Sequence, residues 1–395
     1  MPWPSRFFLL LIPAILGLYL FLSFRTHVET TGILLDKSLV AANDTMASNT
    51  TETRNATRIL LVSAFFPLSK SKHTIHEYEE WLTKYLQPIT TDIYFYAPVV
   101  MAELIRKCRG DMPIIIDTTY SSPFEIPPLR EFKEQYNEMH AQDRERARHS
   151  PELYAVWNAK PFFLDKGVQT LARAGRDYDY AFWNDAGSFR TSHKYRDWPD
   201  PERTREIWEE GSLLTGEREE DLLFFPIAGL PDASLRFWEQ NNGPVDAEIS
   251  QGSFFGGTPS AIAWWQRTFY AYHNHYLKLG IFVGKDQTLI NALFLLFPSR
   301  IITVWLGDPQ APEHIRETLP FIDKGVLGNC GPEWFYYQFW LAQLSEQRGM
   351  HRIWHAAWSW GWWRKCRVTR VSAMRDLLER VFGIDWEPPQ HVLPT

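Results

Sequence analysis

The sequence predicts an α/β domain, a mostly parallel sheet with flanking helices, preceded by one N-terminal transmembrane helix and a flexible stem. Three observations predict it. Short β-rich runs alternate with amphipathic helical stretches from residue 58 onward. Residues 7–24 carry no charge between Arg6 and Arg25. Residues 25–57 are rich in Thr, Ala, Ser and Asn, with too few large apolar groups to bury a core.

An apolar run of about 18 residues is just long enough to cross a bilayer core as a helix. Trp3 and Tyr19 are candidate interface anchors, and Pro13 and Gly17 are tolerated better in lipid than in a soluble helix. The alternative is a cleaved signal peptide. Against it stand the length of the run and Arg25-Thr-His-Val28, where a small-x-small cleavage site is wanted. In the stem, Asn43-Asp-Thr45, Asn49-Thr-Thr51 and Asn55-Ala-Thr57 fit the N-glycosylation acceptor pattern, and no other Asn in the chain does. Charge alone barely orients the anchor; this clustering does. It implies residues 1–6 in the cytosol and everything beyond the anchor in the lumen, a single-pass type II protein of the Golgi or ER membrane. A Thr/Asn-rich linker without glycans is the plainer alternative.

A formal net charge of −6 leaves no basic footprint for nucleic acid. Three cysteines, Cys108, Cys330 and Cys366, are too few for a disulfide-built scaffold, and the odd count leaves at least one unpaired. Cys330 and Cys366 are candidate partners. With 18 Trp residues in the chain, a share should line a carbohydrate-sized cleft or an interface, because flat amphipathic rings suit sugar faces.

The luminal elements follow in order. Arg58 to Phe66 is a β-rich run stopped by Pro67. Thr74-Ile-His-Glu77 is a capping box opening a helix through Leu86, with Tyr78, Trp81, Leu82 and Tyr85 on one face. Asp92–Tyr96 is strand-like, Val99–Arg109 helical and Pro113–Asp117 strand-like again. Residues 128–149 mix charges densely and read as an exposed helix or excursion. Leu153–Ala174 is helical, and Tyr178–Asn184 is the next strand. Such sheets bind ligands beyond the carboxyl ends of their strands. No Walker A loop and no Gly-x-Gly-x-x-Gly fingerprint stands there.

Two segments carry chemistry. In Tyr178 to Arg190 a buried strand delivers Asn184 and Asp185 to the carboxyl edge, followed by Gly187. Sugar transfer from a nucleoside diphosphate builds negative charge on the departing diphosphate, which a carboxylate-held divalent cation and an Arg or Lys neutralise. Asp185 and Arg190 suit these roles; an Asp that only caps the following turn is the equal alternative. Further on, Ile249 to Pro259 puts Gly256 and Gly257 where backbone either passes close to a ligand or makes a bulge or tight turn, then opens a helix with Thr258-Pro259 as cap and first turn. Gly284-Lys-Asp-Gln-Thr-Leu-Ile-Asn291 follows, with Asp286 a base, a sugar-hydroxyl ligand or the N-cap of a helix from Gln287 to Phe297. Lys160 either reaches a phosphate or is a solvated surface side chain. His273 and His275 point to different helix faces and do not share a metal.

Val62-Ser-Ala-Phe-Phe66, the Glu80-Trp81 helix, Tyr94-Phe-Tyr96, Leu153 to Lys160 and Phe182-Trp-Asn-Asp-Ala-Gly-Ser-Phe-Arg190 together resemble the HtrL/YibB-like family over roughly residues 58 to 305. The Trp-Asn-Asp-Ala-Gly pattern resembles the metal-binding Asp motif of GT-A type glycosyltransferases, with Gly187 where those enzymes carry a second Asp. The Phe-Phe-Gly-Gly and Lys-Asp-Gln-x-Leu-x-Asn segments are similar to loops of blood-group-type galactosyltransferases, with Gln287 where those carry Glu. The resemblance implies a GT-A-like catalytic domain over 58–320, followed by an aromatic-rich helical extension over 321–395. It implies a nucleotide-sugar donor held by Lys160, Asn184, Arg190, Gly256 and Gly257. Manganese or magnesium would sit at Asp185, and catalytic groups at Asp286 and Gln287. The acceptor would be a glycan, protein or lipid in the secretory lumen. The competing readings are a catalytically silent membrane glycoprotein of the same fold, a sulfotransferase and a glycosidase. Phe65 to Lys72 lacks the Gly-containing phosphate cradle of a sulfotransferase, and no carboxylate pair at defined separation marks a glycosidase.

Overall fold

The computed structural model of the chain describes residues 57–311, 333–357 and 369–393. The predicted span at 7–24, the stem with Asn43, Asn49 and Asn55, and the pair Cys330 and Cys366 lie outside these. Among the described residues no helix is long and apolar enough to cross a membrane.

The first half follows the alternation read from the sequence. β1 (Ile59–Ala64) is buried along its length. α1 (Ile75–Leu86) opens on Thr74, whose hydroxyl accepts from the Glu77 N–H while the Glu77 carboxylate accepts from the Thr74 N–H. This reciprocal cap is what Thr-x-x-Glu encodes. β2 (Asp92–Tyr96), α2 (Val99–Arg109), β3 (Ile115–Asp117), α3 (Lys133–Met139), α4 (Pro151–Arg173) and β4 (Tyr180–Asn184) follow. Next come α5 (Pro201–Thr215), β5 (Leu223–Ile227), β6 (Phe254–Gly257), α6 (Pro259–Lys278), α7 (Asp286–Leu296) and β7 (Ile301–Trp305). The described C-terminal residues add α8 (Tyr336–Trp340), α9 (Leu344–Ala357), β8 (Val371–Ala373) and α10 (Met374–Phe382).

The strands form one sheet in the order β3-β2-β1-β4-β6-β5-β7-β8, in which β6 and β8 run against the other six. Strand alternation divides the apolar side chains between two layers. Leu60, Val62, Ala181 and Trp183 pack beneath α4, α6 and α7; Leu61, Tyr180 and Phe182 pack with α1, α2 and α5. Burying both faces is what lets a largely parallel sheet be apolar throughout.

Three segments differ from expectation. Residues 128–149 are not wholly exposed, because Tyr136 and Met139 enter the core from α3. Beyond residue 321 the chain is not only helical: β8 extends the sheet by pairing antiparallel to β7. Phe254-Phe-Gly-Gly257 is a strand, not a ligand loop. A side chain at Gly256 would put its Cβ 2.1 Å from the Ala181 carbonyl oxygen, so the glycines admit the neighbouring backbone rather than a ligand.

Candidate active site

A cavity of about 650 Å³ opens at the carboxyl ends of β1 and β4, the edge where α/β sheets of this kind bind ligands. Its walls are the loop after β1, the loop after β4, the first half of α4 and the aromatic pair Trp334 and Phe335.

Asp185 stands on the wall one residue past β4, its side chain 33% exposed. Its N–H donates to the Ser253 carbonyl at 2.9 Å, tying the exit of β4 to the entry of β6. Its Oδ1 accepts from Trp183 Nε1 at 2.6 Å and lies 3.2 Å from Lys160 Nζ. Lys160 is not a solvated side chain. It projects from α4 into the interior, where Nζ donates to the Gly252 carbonyl at 2.9 Å and meets Asp286 Oδ2 at 2.9 Å. The second contact is an ion pair without hydrogen-bond alignment, since Oδ2 has no hydrogen-bond partner. Burial works against the Lys160 charge, but the Asp185 and Asp286 carboxylates outweigh it and hold its pKa above the ordinary value. Burial pushes the Asp286 carboxyl up, with Lys160 opposing. One ammonium facing two carboxylates stays charged and joins three segments distant in sequence.

Asp286 is not the N-cap. α7 begins at Asp286 with Lys285 as its cap residue; the Lys285 side chain makes no capping bond, and Asp286 Oδ1 accepts from the Gln287 N–H at 2.9 Å. Asp286 is only 4% exposed and is not among the residues that line the cavity. Gln287 is likewise a tether: Nε2 donates to the Ser250 carbonyl at 2.6 Å. Asn184 is fully buried and does not line the cavity; its Oδ1 accepts from Ser188 Oγ at 3.1 Å. Strand alternation explains this, since Asn184 shares the face of Tyr180 and Phe182. Gly256 and Gly257 sit inside the sheet, paired across to Phe182 and Ala181. Of the expected donor-binding group, Lys160 and Arg190 line the cavity together with Asp185. His273 is enclosed, with Nε2 2.7 Å from the Tyr136 hydroxyl.

Arg190 lines the cavity and is exposed. Its Nε donates to the Gly187 carbonyl at 3.0 Å, and its guanidinium carbon lies 4.5 Å from the Trp81 ring centroid and 5.4 Å from that of Phe335. Its terminal nitrogens have no partner among the described residues, which leaves the fork available to an anion. Lys70, Lys72 and Arg148 add positive charge to the rim against one carboxylate, Glu145. Sequence reasoning missed these three, and Trp157 and His149 beside them. Lys70 and Lys72 lie just past a strand's carboxyl end, which was the available signal. Arg148 and His149 were hidden in the charge-dense excursion.

Asp185 Oδ2 makes no hydrogen bond among the described residues, and no group of three His, Cys, Asp or Glu is gathered there to hold a metal. One free carboxylate oxygen does not build a protein cage. It does fit magnesium or manganese, which commonly take one or two protein carboxylates with phosphates and waters completing the shell.

No protein-family model matches the chain, and no curated protein does. Solved structures similar to it include core-mannan synthase A from Aspergillus fumigatus in a Mn/GDP form, at 12% identity and TM-score 0.38, covering 65% of this chain and 74% of that one. Another is mouse xyloside xylosyltransferase 1, apo form, at 8% identity and TM-score 0.34, covering 62% and 83%. Likeness of this degree leaves the functional reading to the site's own chemistry.

Proposed function

We propose that this chain is a glycosyltransferase that takes a sugar from a nucleoside-diphosphate donor and passes it to a hydroxyl of a glycan, protein or lipid. The supporting observation is the carboxylate–ammonium pair Asp185–Lys160 at the sheet's carboxyl edge, on a cavity with a basic rim. Arg190 with Lys70 and Lys72 binds diphosphate oxygens, and Trp157 offers an apolar face to the sugar. A magnesium or manganese ion held by Asp185 would neutralise the charge growing on the leaving diphosphate. Lys160 keeps Asp185 oriented and moderates its charge. The domain works in the lumen, anchored through residues 7–24 to the Golgi or ER membrane, behind a stem glycosylated at Asn43, Asn49 and Asn55.

A silent protein of the same fold is the second reading, favoured by Gly187 where a second carboxylate would complete the metal site. A panel of UDP- and GDP-sugars, scored by thermal shift with and without manganese, separates the two. Stabilisation by one donor supports the transferase; none by any donor supports the silent protein.

A further inference from the structure

The excursion between α3 and α4 brings an ordered histidine to the same cavity. His149 Nδ1 lies 2.8 Å from Asp143 Oδ2, and Asp143 is only 8% exposed. The same oxygen accepts from the Tyr154 hydroxyl at 2.6 Å, and Oδ1 accepts from the Glu145 N–H at 2.8 Å. Burial raises the Asp143 carboxyl, but the bonds from Tyr154, Glu145 and His149 outweigh it and hold it below its ordinary range. Asp143 is therefore an anion near neutral pH. It fixes the proton of a neutral His149 on Nδ1, leaving the lone pair on Nε2. The His149 ring stands edge-on to Trp157, with centroids 5.1 Å apart and planes at 82°. It lines the cavity, and Nε2 has no hydrogen-bond partner among the described residues.

Direct displacement at a sugar carbon requires a group that takes the acceptor's proton. The other candidates on this cavity are committed or unsupported. Asp185 Oδ1 is engaged by Trp183 and Lys160, and its free Oδ2 is the oxygen assigned above to a metal ion. His73 lies 3.4 Å from Glu77, whose carboxylate is already held in the α1 cap. Glu145 is exposed, and its carboxylate makes no hydrogen bond or ion pair among the described residues. Of the two histidines lining the cavity, His149 is the one steered by a buried carboxylate among the described residues, the arrangement that fixes the tautomer of a histidine base.

Resting on the transferase reading, we propose that His149 is its general base, that Asp143 is the positioning residue, and that transfer inverts the anomeric centre. The acceptor oxygen attacks the anomeric carbon while its proton passes to His149 Nε2. The bond from that carbon to the diphosphate oxygen breaks, and its electron pair leaves with the diphosphate. The proton then passes to water. A mechanism in which the sugar keeps its configuration by handing the proton to the leaving phosphate would need no such dyad.

The test uses the full chain with UDP-glucose, UDP-galactose, UDP-xylose and GDP-mannose as donors and p-nitrophenyl glycosides as acceptors. Donor affinity is read by calorimetry, turnover by nucleoside-diphosphate release and product configuration by NMR. His149→Gln should keep donor affinity within about twofold and lower kcat at least about 100-fold. Added imidazole should restore part of the turnover of His149→Ala. The acid limb of the kcat/KM profile should disappear in His149→Gln and move in Asp143→Asn. Charged and titratable groups around the ring are Glu145 and Arg148 on its own segment, His140 and Tyr154 beside Asp143, and Lys70 and Lys72 from the loop after β1, with Lys70 Nζ donating to the Arg146 carbonyl at 3.3 Å, so the limb is assigned by comparing variants. Unchanged turnover in His149→Gln, a product of retained configuration, or affinity falling in step with turnover overturns the base assignment alone. Absence of donor binding by the wild type removes the transferase reading, and this inference with it.

Discussion

Lys160 Nζ lies 2.9 Å from Asp286 Oδ2, in a contact whose two side chains are each only 5% exposed. Asp286 thus faces inward, and the carboxylate that the sequence offered as a base or a helix cap holds the lysine that orients Asp185. Removing one partner of such a pair leaves an uncompensated buried charge.

Lys160→Met leaves two neighbouring carboxylates without their shared cation and should cost about 3–5 kcal/mol of stability. Asp286→Asn leaves one ammonium with one carboxylate and should cost no more than about 1–2 kcal/mol. Denaturant unfolding of both variants checks this order. The folded pKa of Lys160 lies above its ordinary 10.5. The lysine's contribution is therefore complete below about pH 10.5 and fades as pH rises through the folded value. The stability gap between wild type and Lys160→Met should be level from about pH 7 to 9 and narrow only in stronger alkali; a gap that narrows across neutral pH contradicts the assigned direction.

Asp185→Asn keeps the shape of the cavity wall and removes its charge. Calorimetry of donor binding, with manganese and with chelator, should show a metal-dependent gain in the wild type that the variant lacks. Equal affinity in all four combinations would reduce Asp185 to a structural residue beside Lys160.

Arg190→Lys preserves charge but removes the planar fork that lies over the Trp81 and Phe335 rings. UDP or GDP affinity should fall about tenfold, or about 1.4 kcal/mol. No change in affinity would mark the stack as packing only.

Gly256→Ala should cost at least about 3 kcal/mol, because its Cβ would meet backbone rather than open space. Donor affinity per folded molecule should be unaltered. A stable variant that has lost donor binding would return Gly256 to the binding site.

Glycans are expected on Asn43, Asn49 and Asn55 when the chain is made in a eukaryotic cell. Glycosidase treatment should lower its apparent mass, and the triple Asn→Gln variant should show no drop. An unshifted wild type argues against the luminal orientation.

The legible parts of this fold are those encoded within a few neighbouring residues. The Thr74–Glu77 box closes within one helical turn, and the Thr258-Pro259 start of α6 is equally local. The strand before Asp185 announces itself by an apolar run of the right length. Gly256 and Gly257 misled because a glycine that makes room for a ligand and one that makes room for a neighbouring strand are identical in sequence. Asn184 misled because one step along a strand turns a side chain to the opposite face.

The sequence by itself determined the alternating elements, their boundaries near the caps, and Asp185 at a carboxyl edge, since local propensity and periodicity suffice for each. Tertiary structure alone decided that Lys160 meets Asp286 across 126 residues, that β6 runs against β4 and β5, and that His149 and Asp185 share one cavity. These relationships depend on which elements become neighbours when the sheet closes over its two cores. Contacts between residues far apart in the chain arise from burying apolar area and pairing the charges trapped with it, and neither leaves a local pattern to read.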